Sequence, residues 1–218
     1  MRIGFLGGTG IEGKGLALRF AGAGARVILG SRSTERADGA AREYNRILGQ
    51  SLIRGTTNAE MLADSEIIFL TVPSDHAVAA VQSCRAGFRP GLVLVDVTVP
   101  MKFNKGLAEY LEPEGGSNAE MLAENLPEGV EVVAAFKTIP AHVLAEMDQP
   151  LECDVFVCGN SPGAKELVMG AVRLIPTLRP LDAGPLSNAR ILERMTVLAV
   201  QLNRHYKSRG ARFRVVGI

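Results

Sequence analysis

The chain of 218 residues contains no tryptophan, three cysteines and three histidines, and its formal net charge is only +1. Each scarcity excludes something. Cys84, Cys153 and Cys158 are odd in number and widely spaced, which does not make a disulfide framework. No matching His or Cys pair stands near Cys153 and Cys158, so no metal centre is expected and the thiols read as small core or near-surface residues. A charge balance this close to zero offers no basic face for nucleic acid or an anionic membrane. No apolar run reaches the length of a membrane span. The first apolar run starts at Arg2, which leaves no room for a signal peptide, and the expected compartment is the cytoplasm. Two chemical signatures are missing as well. There is no Tyr-x-x-x-Lys pair to activate a hydroxyl, and no His–Asp proton relay set by spacing.

What is present is a soluble globular composition, 47% hydrophobic and 22% charged, with ample length for a buried core. The apolar run Arg2–Leu6 leads into Gly7-Gly8-Thr9-Gly10-Ile11-Glu12-Gly13, and Lys14–Phe20 continues as helix. Strand, glycine turn and helix in this order open a dinucleotide-binding βαβ unit. Gly8 is expected to make the tight turn, Gly10 to admit a pyrophosphate, and Gly13 to let the helix lie on the strand. The helix N-terminus then aims unpaired N–H groups at the phosphates. The second strand, Arg26–Gly30, ends in Gly30-Ser31-Arg32, where an NAD-binding unit carries an Asp or Glu for the ribose 2′-hydroxyl. Ser31 can donate to a 2′-phosphate, Arg32 can pair with it, and Arg36 stands one helical turn on. That pattern points to NADP(H), the alternative being two ordinary solvated arginines.

Further along, Ser33–Leu48 reads as helix, Leu52–Gly55 as a short strand, and Asn58 as the cap of a short helix. Ile67–Val72 is apolar throughout and suits a central parallel strand. Pro73 ends it, and Ser74 can cap a helix from Asp75 to Cys84. Ligands in such folds bind beyond the carboxyl ends of the strands, which places Thr71, Val72, Pro73 and His76 toward the cofactor. His76 is either a cofactor contact or a packing histidine. Leu92–Asp96 is the next strand, continued by Val97–Pro100. Asp96 is either an acid or a strand-end carboxylate accepting backbone bonds. Met101–Ser117 reads as a loop over the site. Asn118 caps a helix to Asn125, Val130–Phe136 and Asp154–Gly159 are strands, and Pro162–Ile175 is a helix. Arg179–Pro185 reads as a rigid loop. In the last helix Leu192, Met195, Leu198, Ala199 and Leu202 recur at threes and fours, marking a buried face that can also meet a second subunit. The fold class is α/β: a Rossmann-like doubly wound parallel sheet over residues 1–160, with a small α-rich part, 161–218, covering the cleft and forming the dimer interface.

The chain resembles the coenzyme F420H2:NADP+ oxidoreductases, also called NADPH-dependent F420 reductases. The likeness rests on Gly7–Arg19, on Gly30-Ser31-Arg32, on Val72–Ala77, and on Arg179–Arg190, which no general dinucleotide argument anticipates. It implies hydride transfer between NADP(H) and the deazaflavin ring of F420, by stacking two rings without an essential acid or base. It also implies small-molecule partners; a homodimer is expected because small proteins of this fold often pair through the last helix. Carried over by position, the NADP site comprises Gly8, Thr9, Gly10, Ile11, Glu12, Ser31, Arg32, Arg36, Val72, Pro73, His76, Val99 and Ala141. The deazaflavin lies near Pro100, Lys137, Thr138, Ile139 and Pro140, under the C-terminal segment. Two residues depart from the family pattern. Ser74 stands where some relatives carry a large aromatic, and Lys137 replaces a His or Asn. Lys137 can pair with an anionic deazaflavin or its tail, mark a different acceptor, or reach solvent. The alternatives are an NADPH-dependent reductase of a flavin or other small acceptor, akin to the cytoplasmic domain of membrane metalloreductases, and a non-catalytic NADPH sensor.

Overall fold

A computed structural model describes residues 1–218. Three short apolar runs, β1 (Arg2–Leu6), β4 (Ile67–Leu70) and β5 (Val93–Asp96), form the middle of an eight-stranded sheet and are buried on both faces, apart from exposed Arg2. β2 (Arg26–Ser31) and β3 (Ile53–Thr57) extend the sheet on one side, and β8 (Glu131–Ala134), β9 (Cys153–Gly159) and β10 (Leu178–Asp182) on the other, in the order β10-β9-β8-β5-β4-β1-β2-β3. The six strands from β3 to β8 are parallel. The doubly wound sheet stands, with one difference at its far side: β9 runs antiparallel to β8, and β10 is parallel to β9. The sheet therefore continues across residue 160.

Period-two alternation sorts the strand residues onto two cores. Ile3, Phe5, Val27, Leu29, Ile67, Phe69, Val93 and Val95 face α1 (Ile11–Gly22), α2 (Thr34–Leu48), α6 (Ala141–Ala145) and α7 (Pro162–Leu174). Leu6, Ile28, Ile68, Leu70 and Leu94 face α3 (Asn58–Asp64), α4 (Ala77–Ser83), α5 (Asn118–Asn125) and the start of α8 (Ala189–His205). Phe5 and Phe69 stack at 5.4 Å between centroids, and Phe20 and Phe136 meet Phe69 edge-on or tilted. Each such pair adds about 0.5–1.5 kcal/mol beyond its buried area.

Several local expectations shift. Thr57, not Asn58, caps α3, because its hydroxyl accepts from the Glu60 N–H while the Glu60 carboxylate returns to the Thr57 N–H. Ser117 likewise replaces Asn118 as the cap of α5, at 3.2 Å from the Glu120 N–H. Ser74–His76 is a 3-10 turn with no side-chain cap, so α4 begins only at Ala77. The expected loop 101–117 contains a hairpin, β6 (Met101–Asn104) with β7 (Leu107–Tyr110), turning at Lys105 and Gly106, both at positive φ. Arg179–Asp182 is strand β10 rather than loop. Its Arg179 guanidinium grips Asp154 of β9 at 2.8 Å and donates to the Val215 carbonyl near the chain end at 2.6 Å.

Candidate active site

At the carboxyl ends of β1 and β4 the glycine loop bends back toward α1. The residue that needs glycine for the bend is Gly7, at φ +94°, rather than Gly8. Gly8 is a packing glycine: a Cβ there would lie 2.7 Å from Leu29 Cδ2 and 2.8 Å from Phe5 Cβ. Gly13 does what its place in the motif predicts, since a Cβ would stand 2.6 Å from the Gly8 Cα. Gly10 is the N-cap of α1 with no side-chain cap bond, and a Cβ on it would come no closer than 3.6 Å to any atom. Open space above a helix N-terminus with free N–H groups is the cradle a phosphate fills.

From this loop a chamber of about 670 Å³ extends over β2. Thr9, Gly10, Ser31, Arg32, Arg36, Val72, Pro73 and His76 line it. Ser33 caps α2 and holds Glu35 at 2.8 Å, while the Arg32 and Arg36 guanidinium groups are exposed and make neither hydrogen bond nor ion pair with the protein. Asn58 also lines the chamber, and its Oδ1 is buried without a hydrogen-bond partner. Buried unpaired acceptors are rare, and one at a cleft wall marks a place for a ligand donor.

A second cavity, of about 430 Å³, adjoins the first across Thr71, Val72 and Pro73, which line both. Glu12, Ser74, Val99, Met101, Lys137 and the segment Thr138-Ile139-Pro140-Ala141-His142 form its near walls. Thr196, Ala199, Val200 and Asn203 of α8 close the far side. The wall at 138–142 is held from two directions. Phe136 turns the chain out of β8 at φ +58°, a backbone region costly for a side chain of this size, and its ring is clamped by Phe20 and Phe69. Behind α6, the buried Arg19 guanidinium donates to the carbonyls of Leu144 at 2.9 Å, Val143 at 3.1 Å and Glu146 at 2.5 Å. The short helix leaves the Leu144 carbonyl without a backbone donor, while those of Val143 and Glu146 also accept from the Glu146 and Gln149 N–H groups.

The Lys137 ammonium does not enter the cavity as a free cation and does not reach solvent. Its side chain is fully buried and bonds Asp96 Oδ2 at 2.6 Å, the Thr98 carbonyl at 2.5 Å and Glu193 Oε1 at 3.0 Å, which uses all three protons. Glu193 in turn accepts from the Tyr110 hydroxyl at 2.7 Å and the Asn118 N–H at 3.0 Å. Asp96 accepts from the Thr98 N–H and hydroxyl at 2.9 and 2.6 Å, and is thus a structural strand-end carboxylate. Burial alone would lower Lys137, but Asp96 and Glu193 outweigh it and hold the ammonium above its ordinary range. Burial raises the Glu193 carboxyl against the opposing pull of Lys137 and Tyr110. The Thr196 hydroxyl donates to the Lys137 carbonyl at 2.9 Å, so the network pins α8 to the cavity floor.

Three residues assigned from the sequence do not line either chamber. Ile11 projects to solvent at 72% exposure, Pro100 is buried beneath the surface, and Gly8 packs inward. The segment Arg179–Arg190 does not roof the cavity either, because its polar groups are spent on structure: Arg179 on Asp154, Asp182 on Lys165 at 2.7 Å, and Arg190 on Glu120. The roof is α8. Its inward stripe is Leu192, Glu193, Val197 and Ala199, whereas Leu198, expected in that stripe, is 47% exposed. Met101, Asn58, His142 and the α8 residues were not legible beforehand. Only the helical period of α8 signalled that one of its faces meets the rest of the chain.

Fold and cleft together define a Rossmann-type dinucleotide-binding protein. The family model for "NADP oxidoreductase coenzyme F420-dependent" matches residues 2–100. The F420-dependent NADP reductase of Methanothermobacter thermautotrophicus is 38% identical over 223 residues, covering 100% of this chain and 96% of that one. The chain belongs to the F420-dependent NADP reductase family. A solved structure from Arthrobacter sp. FB24 superposes over 100% of both chains with a TM-score of 0.83 at 23% identity. Metalloreductase STEAP3 of Rattus norvegicus is 33% identical over 192 residues, 88% of this chain but 36% of that longer protein. No helix here is long and apolar enough to cross a membrane.

Proposed function

We propose that this chain transfers a hydride between NADP(H) and the deazaflavin ring of coenzyme F420. One observation carries the reading: a cleft runs from two unpartnered guanidinium groups, past a glycine-lined helix N-terminus, into a second cavity. The full-length likeness to F420-dependent NADP reductases supports the choice of acceptor. The residues present fit both molecules. Arg32 and Arg36 would take the 2′-phosphate, with Ser31 beside them, and the N–H groups of Thr9–Glu12 the pyrophosphate. Thr71–Pro73 and His76 would carry the dinucleotide across the chamber boundary. Val99, Thr138, Ile139, Pro140 and Ala141 would wall in the two rings. When bound, these rings supply the reactive carbons. The protein orients them and keeps water out, which needs no acid–base pair.

The test is a cuvette assay with purified protein, NADPH and oxidised F420. Bleaching of the deazaflavin absorbance with NADPH, and not with NADH, is the expected result. No bleaching while NADPH still binds would remove F420 as the acceptor, and NADPH oxidation on adding free flavin would then name a flavin instead. We further propose that residues 1–160 hold the dinucleotide and 161–218 complete the cleft through α8. The protein would work in the cytoplasm on small molecules, not nucleic acid, as a homodimer. The apolar residues Ile191 and Leu198 of α8 and Phe103 and Leu107 of the adjoining hairpin are all about half or more exposed, and would meet a second copy. A monomeric mass in light scattering at micromolar concentration would overturn the dimer.

A further inference from the structure

We propose that Glu12 makes the cleft discriminate between the two redox forms of the dinucleotide, its carboxylate favouring the ring that is cationic in NADP+ and neutral in NADPH. The inference rests on the NADP(H) reading above. With the 2′-phosphate at Arg32 and Arg36 and the pyrophosphate over Gly10, the nicotinamide half has one way onward, past Thr71–Pro73 into the second cavity. Glu12, in the first turn of α1, lines that cavity and not the first one. It makes no hydrogen bond and no ion pair.

The charges around it leave it alone. On α6, His142 shares the cavity wall. From the end of β8, Lys137 lines the cavity with its main chain, its side chain being fully buried and its ammonium consumed by Asp96 and Glu193. On the turn after β4, Thr71 and Ser74 are the polar residues of the cavity wall, and neither is charged. Asp75 lies outside its lining, and His76 lines the other chamber. The α8 wall contributes Thr196, Ala199, Val200 and Asn203, none of them charged. On α1 itself, Lys14 is paired with Glu43 at 2.6 Å. Without a counter-charge, burial pushes the Glu12 carboxyl up to about 8.

The linkage has a definite sign. In the free protein the carboxyl is largely protonated at pH 7. A cationic ring beside it favours the ionised form, so NADP+ binding expels a proton below pH 8, and a neutral ring does not. NADP+ affinity should then climb as pH rises, by up to about tenfold per pH unit, and level off above about pH 8. NADPH affinity should lack this slope. The 2′-phosphate and both histidines are common to the two titrations, so the difference between the cofactors isolates the ring.

The experiment is calorimetric titration of the full chain with NADP+ and with NADPH at pH 7, in two buffers of different ionisation enthalpy. NADP+ should release more protons than NADPH, by up to about one per site, and Glu12→Gln should abolish that excess while still binding both. Equal proton release from the two cofactors in the wild type would overturn the proposal without recourse to the variant. So would an excess that survives Glu12→Gln. If neither cofactor binds, the NADP(H) reading itself falls, a different and recognisable result.

Discussion

Replacing Lys137 by Met keeps the four-atom stem and removes only the ammonium. In the wild type that ammonium answers two carboxylates, Asp96 and Glu193, with all three side chains fully buried or nearly so. Breaking a buried pair by deleting one partner costs about 3–5 kcal/mol, because the remaining charge stays desolvated. Here two acidic groups are left facing each other, and the Thr98 carbonyl loses its donor. Set against a typical domain stability of about 5–15 kcal/mol, this is a large fraction. The loss should depend on pH in a determined direction. The Glu193 carboxyl is already raised by burial, and losing the lowering influence of Lys137 raises it further. A carboxyl whose folded value exceeds its unfolded value destabilises the fold when ionised, and the penalty shrinks as pH falls through the folded value. Urea unfolding of Lys137→Met should therefore show a loss of about 3–5 kcal/mol at pH 8.5, shrinking by about 1.4 kcal/mol for each unit by which Glu193 has risen and been protonated at pH 5.5. The double variant Lys137→Met with Glu193→Gln should recover much of the alkaline loss. A penalty under about 1 kcal/mol at pH 8.5, or one that grows on acidification, would refute this account of the network.

Three other outcomes follow from the same geometry. Arg32→Ala should weaken NADPH binding by about 1–3 kcal/mol and leave NADH binding nearly unchanged in fluorescence titrations; equal losses would dismiss the 2′-phosphate assignment. Gly13→Ala places a Cβ 2.6 Å from the Gly8 Cα and should lower stability by about 1–3 kcal/mol together with dinucleotide affinity. The control is Gly39→Ala in α2, where nothing lies within 4 Å; it should raise stability by about 0.4–1 kcal/mol in the same thermal-melt series. Arg19→Met orphans the Leu144 carbonyl and removes the side-chain donor from those of Val143 and Glu146, so α6 should exchange its amide protons faster while α2 does not change.

What the sequence disclosed and what it hid divide along a physical line. β1, β4 and β5 were legible because a strand buried on both faces must be apolar at every position, and helices so close to them in sequence must cover those faces. The glycine loop was legible because backbone demands select glycine wherever the chain goes next, although which glycine bears the positive φ was not. β10 was hidden by Pro180, which argues against a strand, yet β10 pairs on one side only and an edge tolerates proline. Arg32 and Arg36 could be placed from sequence because they stand a fixed distance past β2. The Lys137 network could not. Its members lie 41 and 56 residues apart along the chain, and nothing periodic connects them. Glu193 stands between Arg190 and Arg194 on a helix that otherwise looks solvated there. Only the docking of α8 over the β6–β7 hairpin and the end of β8 turns it inward. The far wall of the second cavity has the same origin. A wall supplied by a helix arriving from the end of the chain is fixed by packing between distant elements, so the half of the cleft that chooses the second substrate is the half that local sequence describes least.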